Sequence, residues 1–415
     1  MDKRRVVVTG LGAVTPLGNS REEFWRRLLA GESGVGPITA FDASDFITRI
    51  AAEVKDFNAE ELIGKKEVRR LDRYAQFGIV AAKEAIADAQ LPTTDDSVMR
   101  DTGVVIATGI GGIMTFWVHS EKANKDGTWS KVTPFFIPML MSNAASAQVS
   151  MLYRMQGPIF AVSSACASGN DAIVTAYNYI ANGQAPVMVT GGTEATIAPL
   201  AVGGFCSMKA MSTRNDDPAR ASRPFDEERD GFVLAEGAGI LVLEEYEHAK
   251  ARGAKVYCEM LGYGQSADAY NIVAPDPESR GVELALNRAF EHSNVKKHEV
   301  SYINAHGTST PLGDTAESQA VERVFGEHAA KLAVSSTKSM HGHALGAAGG
   351  LEGVATVMSV HDDIMPPTIN YDVPDPECRL DYVPNVARKG RVDVALSNSF
   401  GFGGHNSVLV FGKVR

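Results

Sequence analysis

A short apolar segment, a tight turn and a helical segment follow one another near the middle of the chain. The sequence there is Ile159-Phe160-Ala161-Val162-Ser163-Ser164-Ala165-Cys166-Ala167-Ser168-Gly169. Ile159–Ser163 is a short apolar run typical of a buried strand, and Ser168–Ala181 has the residue spacing of a helix. The turn between them carries Cys166 among small side chains. This strand–turn–helix unit is the building block of an α/β fold.

The turn around Cys166 is a setting in which thiols become reactive. The amino end of the following helix points at the sulfur, and the helix dipole lowers a thiol pKa from ~8.5 toward ~7. The alternative is a buried structural cysteine. The other cysteines, Cys206, Cys258 and Cys378, form no CxxC pair. This spacing disfavours a zinc ribbon or a disulfide scaffold and indicates a reducing compartment, the cytoplasm.

Strand and helix patterns alternate along the whole chain, and a similar order of elements recurs after about residue 255. In the first part the strand segments are Val6–Thr9, Gly103–Thr108, Ile159–Ser163, Val187–Thr190 and Ile240–Glu244, with helices over Glu67–Ala89 and Ser168–Ala181. In the second part the strand segments are Val256–Gly262, Ser301–Asn304, Ala333–Ser335, Val392–Ser397 and Ser407–Phe411, with helices over Arg280–His292, Asp314–Phe325 and Ala344–Ser359. We therefore expect an α/β fold with mainly buried sheets, made of two fused halves, residues 1–255 and 256–415.

Charge and composition exclude several classes of protein. The chain has 415 residues and a formal net charge of −10, which disfavours a broad nucleic-acid footprint. From Val132 to Thr193 the only charged residues are Arg154 and Asp171, but prolines interrupt this stretch, so it is not a membrane span. Such a stretch is typical of a deep core or a permanent subunit interface. Glycine accounts for 40 residues, an excess that we expect in a few loops.

Four histidines, His306, His341, His343 and His405, lie in nearly uncharged loops rich in Gly, Ser and Thr. Ligands gather at the carboxyl ends of strands in α/β sheets, so these loops and the turn of Cys166 indicate a shared site. A metal site is a competing interpretation, but no HExxH motif supports it. Dinucleotide binding by a Rossmann oxidoreductase is another. Thr9–Pro16 resembles its glycine fingerprint but lacks the third glycine, and we expect no nicotinamide cofactor.

Several segments together resemble the β-ketoacyl-[acyl carrier protein] synthases. They are the segment around Cys166 and the segments His306–Thr310, Lys338–His343 and Asn398–Gly404. The resemblance runs essentially end to end and is closest to the elongating condensing enzymes of bacterial fatty acid synthesis. It implies a thiolase-like fold, with two pseudo-duplicated halves in five layers (α-β-α-β-α), and a homodimer. It also implies that the protein has no cofactor of its own, because phosphopantetheine arrives on the acyl carrier protein.

The resemblance assigns the catalytic roles by position. Cys166 would be the nucleophile that takes the acyl chain as a thioester. The backbone N–H of Phe402 would join that of Cys166 in an oxyanion hole, and the Phe402 ring would gate the pocket. His306 and His343 would bind the malonyl thioester carbonyl and stabilise the enolate formed when carbon dioxide leaves. Lys338, held by an acid, would tune the histidines; the alternative is a structural ion pair.

Further positions are implied by the same resemblance. The acid that holds Lys338 would be Glu317. The hydroxyls of Thr308 and Thr310 would hold phosphopantetheine. The acyl tunnel and the rest of the substrate site would be lined by Ile110, Phe205 and Phe400, with Phe136 reaching in from the partner subunit. A structural monovalent cation, present in some members, would bind at Asn304, Glu352, Ser397 and Asn398; a purely hydrogen-bonded cluster is the alternative.

Basic residues indicate where the carrier protein would dock. Lys65, Lys66, Arg69 and Arg70 form a basic run in a chain of net negative charge, and Lys209 would extend it. A solvated helix face is the alternative, but an acidic carrier protein as substrate vehicle favours a docking patch. His341 and His405 stand where threonine is more common in the family. Because Gly342 precedes His343, as in the motif, His343 remains the second catalytic histidine.

The leading hypothesis is decarboxylative condensation of acyl and malonyl carrier thioesters in fatty acid elongation. The nearest alternative is a ketosynthase of a type II polyketide pathway, which no motif separates from it. A degradative thiolase is disfavoured, because His306 and His343 replace its arrangement with a second catalytic cysteine. A catalytically silent partner subunit resembling a chain-length factor would lack Cys166. The sequence leaves the preferred acyl chain length open.

Overall fold

The computed structural model describes residues 3–415. The ten strands of the main sheet are β1 (Val6–Val14), β2 (Thr102–Ala107), β3 (Ile159–Phe160), β4 (Val187–Glu194), β5 (Gly237–Glu245), β6 (Cys258–Ala267), β7 (Val300–Asn304), β8 (Ala333–Ser335), β9 (Val394–Gly401) and β10 (His405–Gly412). The α-helices of the described residues are α1 (Arg21–Leu29), α2 (Ala59–Ile63), α3 (Lys65–Val68), α4 (Arg73–Asp88), α5 (Asp96–Asp101), α6 (Ile113–Asp126), α7 (Phe136–Leu140), α8 (Ala144–Tyr153), α9 (Ser168–Ala181), α10 (Pro199–Ser207), α11 (Tyr246–Ala251), α12 (Arg280–Ser293), α13 (Pro311–Phe325), α14 (Lys338–His341) and α15 (Ala348–Asp362). Two short ribbons pair Gly36–Pro37 with Ile50–Ala51 and Ile364–Met365 with Arg388–Lys389.

The predicted alternation of strands and helices is confirmed, and α9 has the bounds that the sequence predicts. The helix predicted over Glu67–Ala89 is wrong as a single element. α3 ends at Val68, and α4 begins at Arg73. The break arises because Asp72 caps α4: its carboxylate accepts the backbone N–H of Tyr74 at 3.2 Å.

The strand order shows the internal duplication that the sequence only hinted at. Hydrogen bonding orders the strands β8-β7-β9-β10-β6-β1-β5-β4-β2-β3. Read outward from the centre, β1-β5-β4-β2-β3 in the first half matches β6-β10-β9-β7-β8 in the second, with the same parallel and antiparallel pairings. The halves join where Val6–Val8 of β1 pairs antiparallel with Cys258–Met260 of β6.

Helices complete the expected five layers. α4 packs against β1, β5 and β4 of the first half, and α12 packs against β6 and β10 of the second. Between the two halves of the main sheet lie α9, which contacts β2 and β4, and α15, which contacts β5 in the first half and β9 in the second. The layers therefore follow the order α-β-α-β-α, and the thiolase-like architecture is confirmed.

Part of the glycine excess lies where helices cross the sheets, which corrects the expectation that loops hold most of it. A Cβ on Gly12 of β1 would lie 2.0 Å from the carbonyl oxygen of Ala81 in α4. A Cβ on Gly239 of β5 would lie 2.3 Å from the backbone of Gly350 in α15. No side chain fits at such distances, so these glycines allow helix and sheet backbones to touch.

The uncharged stretch occupies two different environments. Its later part, α9 and β4, lies in the core. Its earlier part, α7 and α8, leaves apolar side chains in solvent, with Ile137 60% and Met151 63% exposed. Both interpretations made from the sequence, deep core and interface, therefore have a structural counterpart. No helix within residues 3–415 is long and apolar enough to span a membrane.

The duplication places the predicted catalytic residues after the ends of equivalent strands in the two halves. Cys166 follows β3, His306 follows β7, α14 and His343 follow β8, and Phe402 follows β9. Cys166 and His343 occupy equivalent positions, because each follows the third strand of its half and precedes a central helix, α9 or α15. The fold thus directs side chains of both halves toward one place.

Candidate active site

One cavity of about 410 Å³ brings the predicted catalytic side chains together. Its lining includes Cys166 from the first half and His306, His343, Phe400 and Phe402 from the second. Cys166, His306 and His343 are each less than one-tenth exposed. The cavity therefore lies at the joint between the halves and holds its reactive groups away from bulk water.

Hydrogen bonds shape the turn that presents the sulfur. Ser168 Oγ accepts the backbone N–H of Ser164 at 2.8 Å and donates to the carbonyl of Ala165 at 2.6 Å. Ala165 has a φ of +51°, a left-handed conformation that costs a residue with a Cβ about 1 kcal/mol. The turn is therefore held tightly, and Cys166 stands at its end, just before α9.

His343 is the closest titratable partner of the cysteine. Its Nε2 lies 3.1 Å from Cys166 Sγ. The backbone N–H of His343 donates to the carbonyl of Val233 at 2.7 Å, and its ring meets that of Phe232 edge-on at 5.5 Å. The ring of His306 lies 5.4 Å from that of His343, at 88° to it. Two imidazoles and one thiol therefore share a space small enough for one reacting group.

Burial sets the protonation of these groups, and it corrects one sequence-based expectation. We expected the helix dipole to lower the thiol pKa; instead, burial raises the pKa of Cys166 to about 12, although the charge of Lys338 and the backbone N–H of Phe402 oppose the rise. Burial and the charge of Lys338 also lower the pKa values of His306 and His343 well below the ordinary range. The resting site therefore holds a neutral thiol beside two neutral imidazoles.

The expected partner of Lys338 is wrong. The Lys338 ammonium forms its ion pair with the carboxylate of Glu352, and both groups are fully buried. Glu317 instead accepts the backbone N–H groups of His306 at 2.9 Å and Gly307 at 2.8 Å, and the amide of Asn398 at 2.9 Å. The reason is positional: Glu317 lies on α13 under the His306 loop, where free backbone N–H groups need an acceptor.

The hairpin between β9 and β10 brings Phe402 to the nucleophile. Gly401 permits this approach, because a Cβ there would lie 2.9 Å from the carbonyl oxygen of Ser164 and 3.0 Å from the nitrogen of Cys166. The backbone N–H of Phe402 faces the sulfur of Cys166 and opposes the rise of its pKa. Gly403 and Gly404 follow with φ of +83° and +74°, which only glycine adopts readily. Phe402 therefore lies beside Cys166, the position that the expected oxyanion-hole role requires.

Four of the expected binding residues also line the cavity. The hydroxyls of Thr308 and Thr310 lie 3.0 Å apart, and both residues line the cavity together with Phe205 and Lys209. The ring of Phe400 meets that of His306 edge-on at 5.7 Å. The two threonine hydroxyls therefore face the same cavity as the sulfur, as expected if they hold the phosphopantetheine arm.

Two expected tunnel residues lie outside this cavity. Ile110 is 45% exposed on the surface of the chain, because its loop is held beyond the end of β2, where the Ile110 N–H donates to Glu194 Oε1. Phe136, expected to act from a partner subunit, lies on α7 against the ring of His119. The basic residues Lys65, Lys66, Arg69 and Arg70 lie on and just after α3, away from the cavity lining.

The two unusual histidines are not part of the constellation. His341 is fully buried, with Nε2 3.0 Å from Thr337 Oγ1 and its ring edge-on to Phe24 at 5.9 Å. Burial lowers the pKa of His341 to about 3. His405 is exposed at the start of β10. Choosing His343 over His341 as the cavity histidine is consistent with this placement.

The residues of the expected cation site are buried together. Ser397 on β9 pairs with Asn304 on β7, and the amide of Asn304 donates to the carbonyl of Glu352 at 3.4 Å. Among the described residues Glu352 Oε2, Ser397 Oγ and Asn398 Oδ1 have no hydrogen-bond partner. An oxygen-only set with unpaired buried atoms fits a monovalent cation.

Sequence reasoning missed Glu194, the last residue of β4. This carboxylate is fully buried and accepts hydrogen bonds from the backbone N–H groups of Gly109 and Gly346. One sequence signal could have identified Glu194: it is the first acidic residue after the long uncharged stretch, and it is the last residue of a strand. Val273–Pro275, a segment before α12 that lines the cavity, carried no such signal.

Comparisons with known proteins agree with this geometry. The model of the β-ketoacyl synthase N-terminal domain matches residues 3–249, and that of the C-terminal domain matches residues 257–372. The chain belongs to the β-ketoacyl synthase family. It is 51% identical to the 3-oxoacyl-[acyl-carrier-protein] synthase 2 of Synechocystis sp., over 100% of this chain and 99% of that protein.

Solved structures of family members superpose on the whole chain. A β-ketoacyl synthase from Burkholderia phymatum has a TM-score of 0.90 and 37% identity, covering 99% of this chain and 100% of the other. A ketosynthase chain from a complex with its type II polyketide acyl carrier protein has a TM-score of 0.92 and 36% identity, covering 100% of both. The two-half architecture of this chain is therefore that of the family.

The raised thiol pKa predicts how Cys166 reacts with iodoacetamide, which attacks thiolates. Below its pKa the thiolate fraction rises tenfold per pH unit, so we expect alkylation of Cys166 to accelerate from about pH 7 to about pH 10 without a plateau. Mass spectrometry of the peptide that contains Cys166 measures the rate, and a Cys206→Ser variant removes competition from the half-buried Cys206. A plateau below about pH 8 would show a stabilised thiolate and contradict the assignment.

Proposed function

We propose that this chain is an elongating condensing enzyme, an acyltransferase that joins an acyl-[acyl carrier protein] to malonyl-[acyl carrier protein]. The products are 3-oxoacyl-[acyl carrier protein], carbon dioxide and free carrier protein. The observation that carries this proposal is the 3.1 Å contact between Cys166 Sγ and His343 Nε2, with His306 in the same cavity. The name 3-oxoacyl-[acyl-carrier-protein] synthase 2 of a relative that is 51% identical supports it.

The first half-reaction transfers the acyl chain to the enzyme. The Cys166 sulfur attacks the thioester carbonyl carbon. The thiol proton passes through His343 Nε2 to the carrier's sulfur, which leaves as a free thiol when the thioester bond breaks. The carbonyl oxygen becomes an oxyanion, which the backbone N–H groups of Cys166 and Phe402 stabilise. Since the resting thiol is neutral, removal of its proton and attack on the carbonyl occur together.

The second half-reaction forms the new carbon–carbon bond. N–H groups of His306 and His343 bind the malonyl thioester oxygen while the bond to the carboxylate breaks and carbon dioxide leaves. The resulting enolate carbon attacks the acyl carbon, and the bond to Cys166 Sγ breaks. The released thiolate takes up one proton from solvent, which restores the neutral thiol of the resting site. In this half-reaction His343 carries its proton on Nε2, the tautomer opposite to the one that accepts the thiol proton. Its Nδ1 has no hydrogen-bond partner among the described residues, so no contact fixes one tautomer.

Supporting roles follow from the contacts. Burial and the positive charge of Lys338 keep the imidazoles neutral, and Glu317 fixes the backbone of the His306 loop. Asn304, Glu352, Ser397 and Asn398 would hold a structural monovalent cation, which neutralises the second oxygen of the Glu352 carboxylate. Thermal unfolding in potassium chloride and in choline chloride of equal ionic strength tests the cation; equal midpoints would exclude it.

A polyketide ketosynthase is the second candidate, because two solved ketosynthases share the fold and one of them comes from a type II polyketide complex. It is the weaker one, since those chains are 36% and 34% identical, whereas the relative from Synechocystis sp. is 51% identical. A silent chain-length-factor role is weaker still, because Cys166 is present and faces His343.

The four cysteines are free, which supports the cytoplasm as the compartment; isolation of the native chain from an oxidising compartment would contradict it.

Separate half-reactions test the division of roles. Cys166→Ala removes the acyl acceptor, so we expect condensation to fall below detection while decarboxylation of malonyl-[acyl carrier protein] continues, because both histidines remain. Measurement of 3-oxoacyl product and of released carbon dioxide distinguishes the two activities. Full condensation by Cys166→Ala would refute the proposal, and loss of decarboxylation in a folded variant would refute the role of the histidines.

Docking of an acidic carrier protein is assigned to the basic residues on and after α3, with Lys209 at the cavity. We expect Lys65→Glu/Lys66→Glu to raise KM for the carrier thioester by about tenfold at low salt, less so at high salt, and to leave kcat unchanged. Lys331→Glu/Lys389→Glu changes the net charge equally on exposed sites outside the cavity lining and is the control. Equal KM values for the two variants would contradict the patch.

A homodimer would cover the apolar surface near the edge strand β3. The exposed apolar side chains there and on the neighbouring helices include Ile110, Phe116, Ile137, Met141, Met151, Leu152 and Ile159. Within α7, α8 and β3 no residue is charged, as in the buried centre of a permanent interface. It would place Phe136 and Ile110 beside the partner's acyl site.

Sedimentation tests this surface. We expect the wild type to sediment at twice the chain mass and Met151→Glu/Leu152→Glu at the mass of one chain, because two buried charges oppose association. Leu312→Glu, at an exposed leucine on α13 outside this apolar surface, is the control and should remain dimeric. A wild-type protein that sediments as a single chain would contradict the interface.

A further inference from the structure

Glu194 is a buried acid that neither half-reaction uses. Its carboxylate accepts four hydrogen bonds and has no exposed surface. Oε1 accepts from Thr108 Oγ1 at 2.7 Å and from the N–H of Ile110 at 3.3 Å. Oε2 accepts from the N–H of Gly109 at 2.7 Å and from the N–H of Gly346 at 3.0 Å. A full set of donors around one strand-end carboxylate is more than packing requires.

These donors come from segments on both sides of the site. Gly109 and Ile110 follow β2 in the first half, and the packing of Gly109 brings it near the turn of Cys166, since a Cβ there would lie 3.6 Å from the carbonyl oxygen of Ala165. Gly346 lies in the second half, three residues after His343. Glu194 therefore links a loop that packs against the turn of Cys166 to the backbone that follows His343.

The joint is closely packed. A Cβ on Gly346 would lie 2.1 Å from the nitrogen of Gly109 and 2.7 Å from Glu194 Oε2. A Cβ on Gly109 would lie 2.9 Å from Glu194 Oε2. With no room for a methyl group, the two loops touch through their backbones around the carboxylate. A change in the carboxylate therefore moves both loops.

Glu317 shows the same arrangement in the second half. It accepts two successive N–H groups, of His306 and Gly307, from the loop after β7, just as Glu194 accepts those of Gly109 and Ile110 from the loop after β2. β2 and β7 are equivalent strands of the duplication. In the second half this loop carries a catalytic histidine; in the first half it carries none and serves instead to support the nucleophile.

We propose that Glu194 is a positioning residue for the condensation: by joining the Gly109–Ile110 loop to the turn after His343, it sets the distance between Cys166 Sγ and His343 Nε2. Burial raises the pKa of Glu194, and its hydrogen-bond donors favour the charged form. In that form the carboxylate places a negative charge in the dry region near the thiol. That charge opposes loss of the thiol proton, and the charge of Lys338 favours it. The proton is thereby kept on the cysteine until a thioester is in place.

Glu194→Gln tests the proposal, which rests on the proposed condensation. Gln keeps the size but presents an NH₂ group where a carboxylate oxygen accepted hydrogen bonds, so the distance between the two catalytic groups changes. We expect kcat for condensation to fall by about tenfold or more, because a displacement near 1 Å costs that much, while KM for malonyl-[acyl carrier protein] stays unchanged. The alkylation profile of Cys166 should shift to lower pH, since a nearby negative charge is lost.

Glu244→Gln is the matched control. Glu244 is a fully buried carboxylate near the end of β5, paired with Arg252 and His248 away from the cavity. A purely structural effect would lower stability in both variants and leave kcat and the alkylation profile of the folded protein unchanged. Slower condensation together with easier alkylation, in Glu194→Gln only, is the result that supports positioning.

A second variant keeps the test decisive if Glu194→Gln fails to fold. Thr108→Val preserves shape and charge and removes one donor to Oε1, so we expect a severalfold lower kcat at unchanged KM and an unshifted alkylation profile. Wild-type kcat in folded Glu194→Gln or, failing that, in Thr108→Val overturns the proposal. Absence of condensation by the wild-type protein would instead refute the proposed function, so the two failures are distinguishable.

Discussion

The contact between Cys166 Sγ and His343 Nε2 is the interaction on which the rest of the site depends. It joins equivalent positions of the two halves at 3.1 Å, and both groups are almost completely buried. Because burial disfavours charge on either group, the thiol and the imidazole rest as a neutral pair. Reactivity therefore arises from geometry: a base in contact with the thiol, and an N–H of Phe402 where negative charge develops.

Buried charges surround this neutral pair, and each has a distinct contact. Lys338 forms an ion pair with Glu352. Together with burial, its positive charge lowers the pKa of His343. Glu317 and Glu194 satisfy backbone N–H groups of the loops that lead to the site. Backbone donors in such loops need acceptors once water is excluded, and a carboxylate satisfies several at once. The loops around the thiol are thus held by carboxylates whose oxygens are occupied by backbone donors.

The sequence predicts much of this arrangement and misses the parts that depend on three-dimensional packing. Strand and helix periodicity predicts α9 to the residue. The loop compositions indicate Cys166 and four histidines, of which the family resemblance selects His306 and His343. The break before α4 depends on Asp72 acting as a cap, and the pairing of Lys338 with Glu352 instead of Glu317 depends on how α13, α14 and α15 pack. The thiol pKa was misjudged because the dipole of α9 is visible in sequence, whereas the extent of burial is not.

The most direct test of the neutral pair is the ionisation of His343, followed by NMR of ¹⁵N-labelled histidine in the full-length enzyme, with His343→Gln to assign its signals. The account predicts neutral imidazole shifts for His343 from about pH 8 down to about pH 6, below which an exposed histidine is mostly protonated. Imidazolium shifts at about pH 7 that disappear in Cys166→Ala would show a thiolate–imidazolium pair and contradict it.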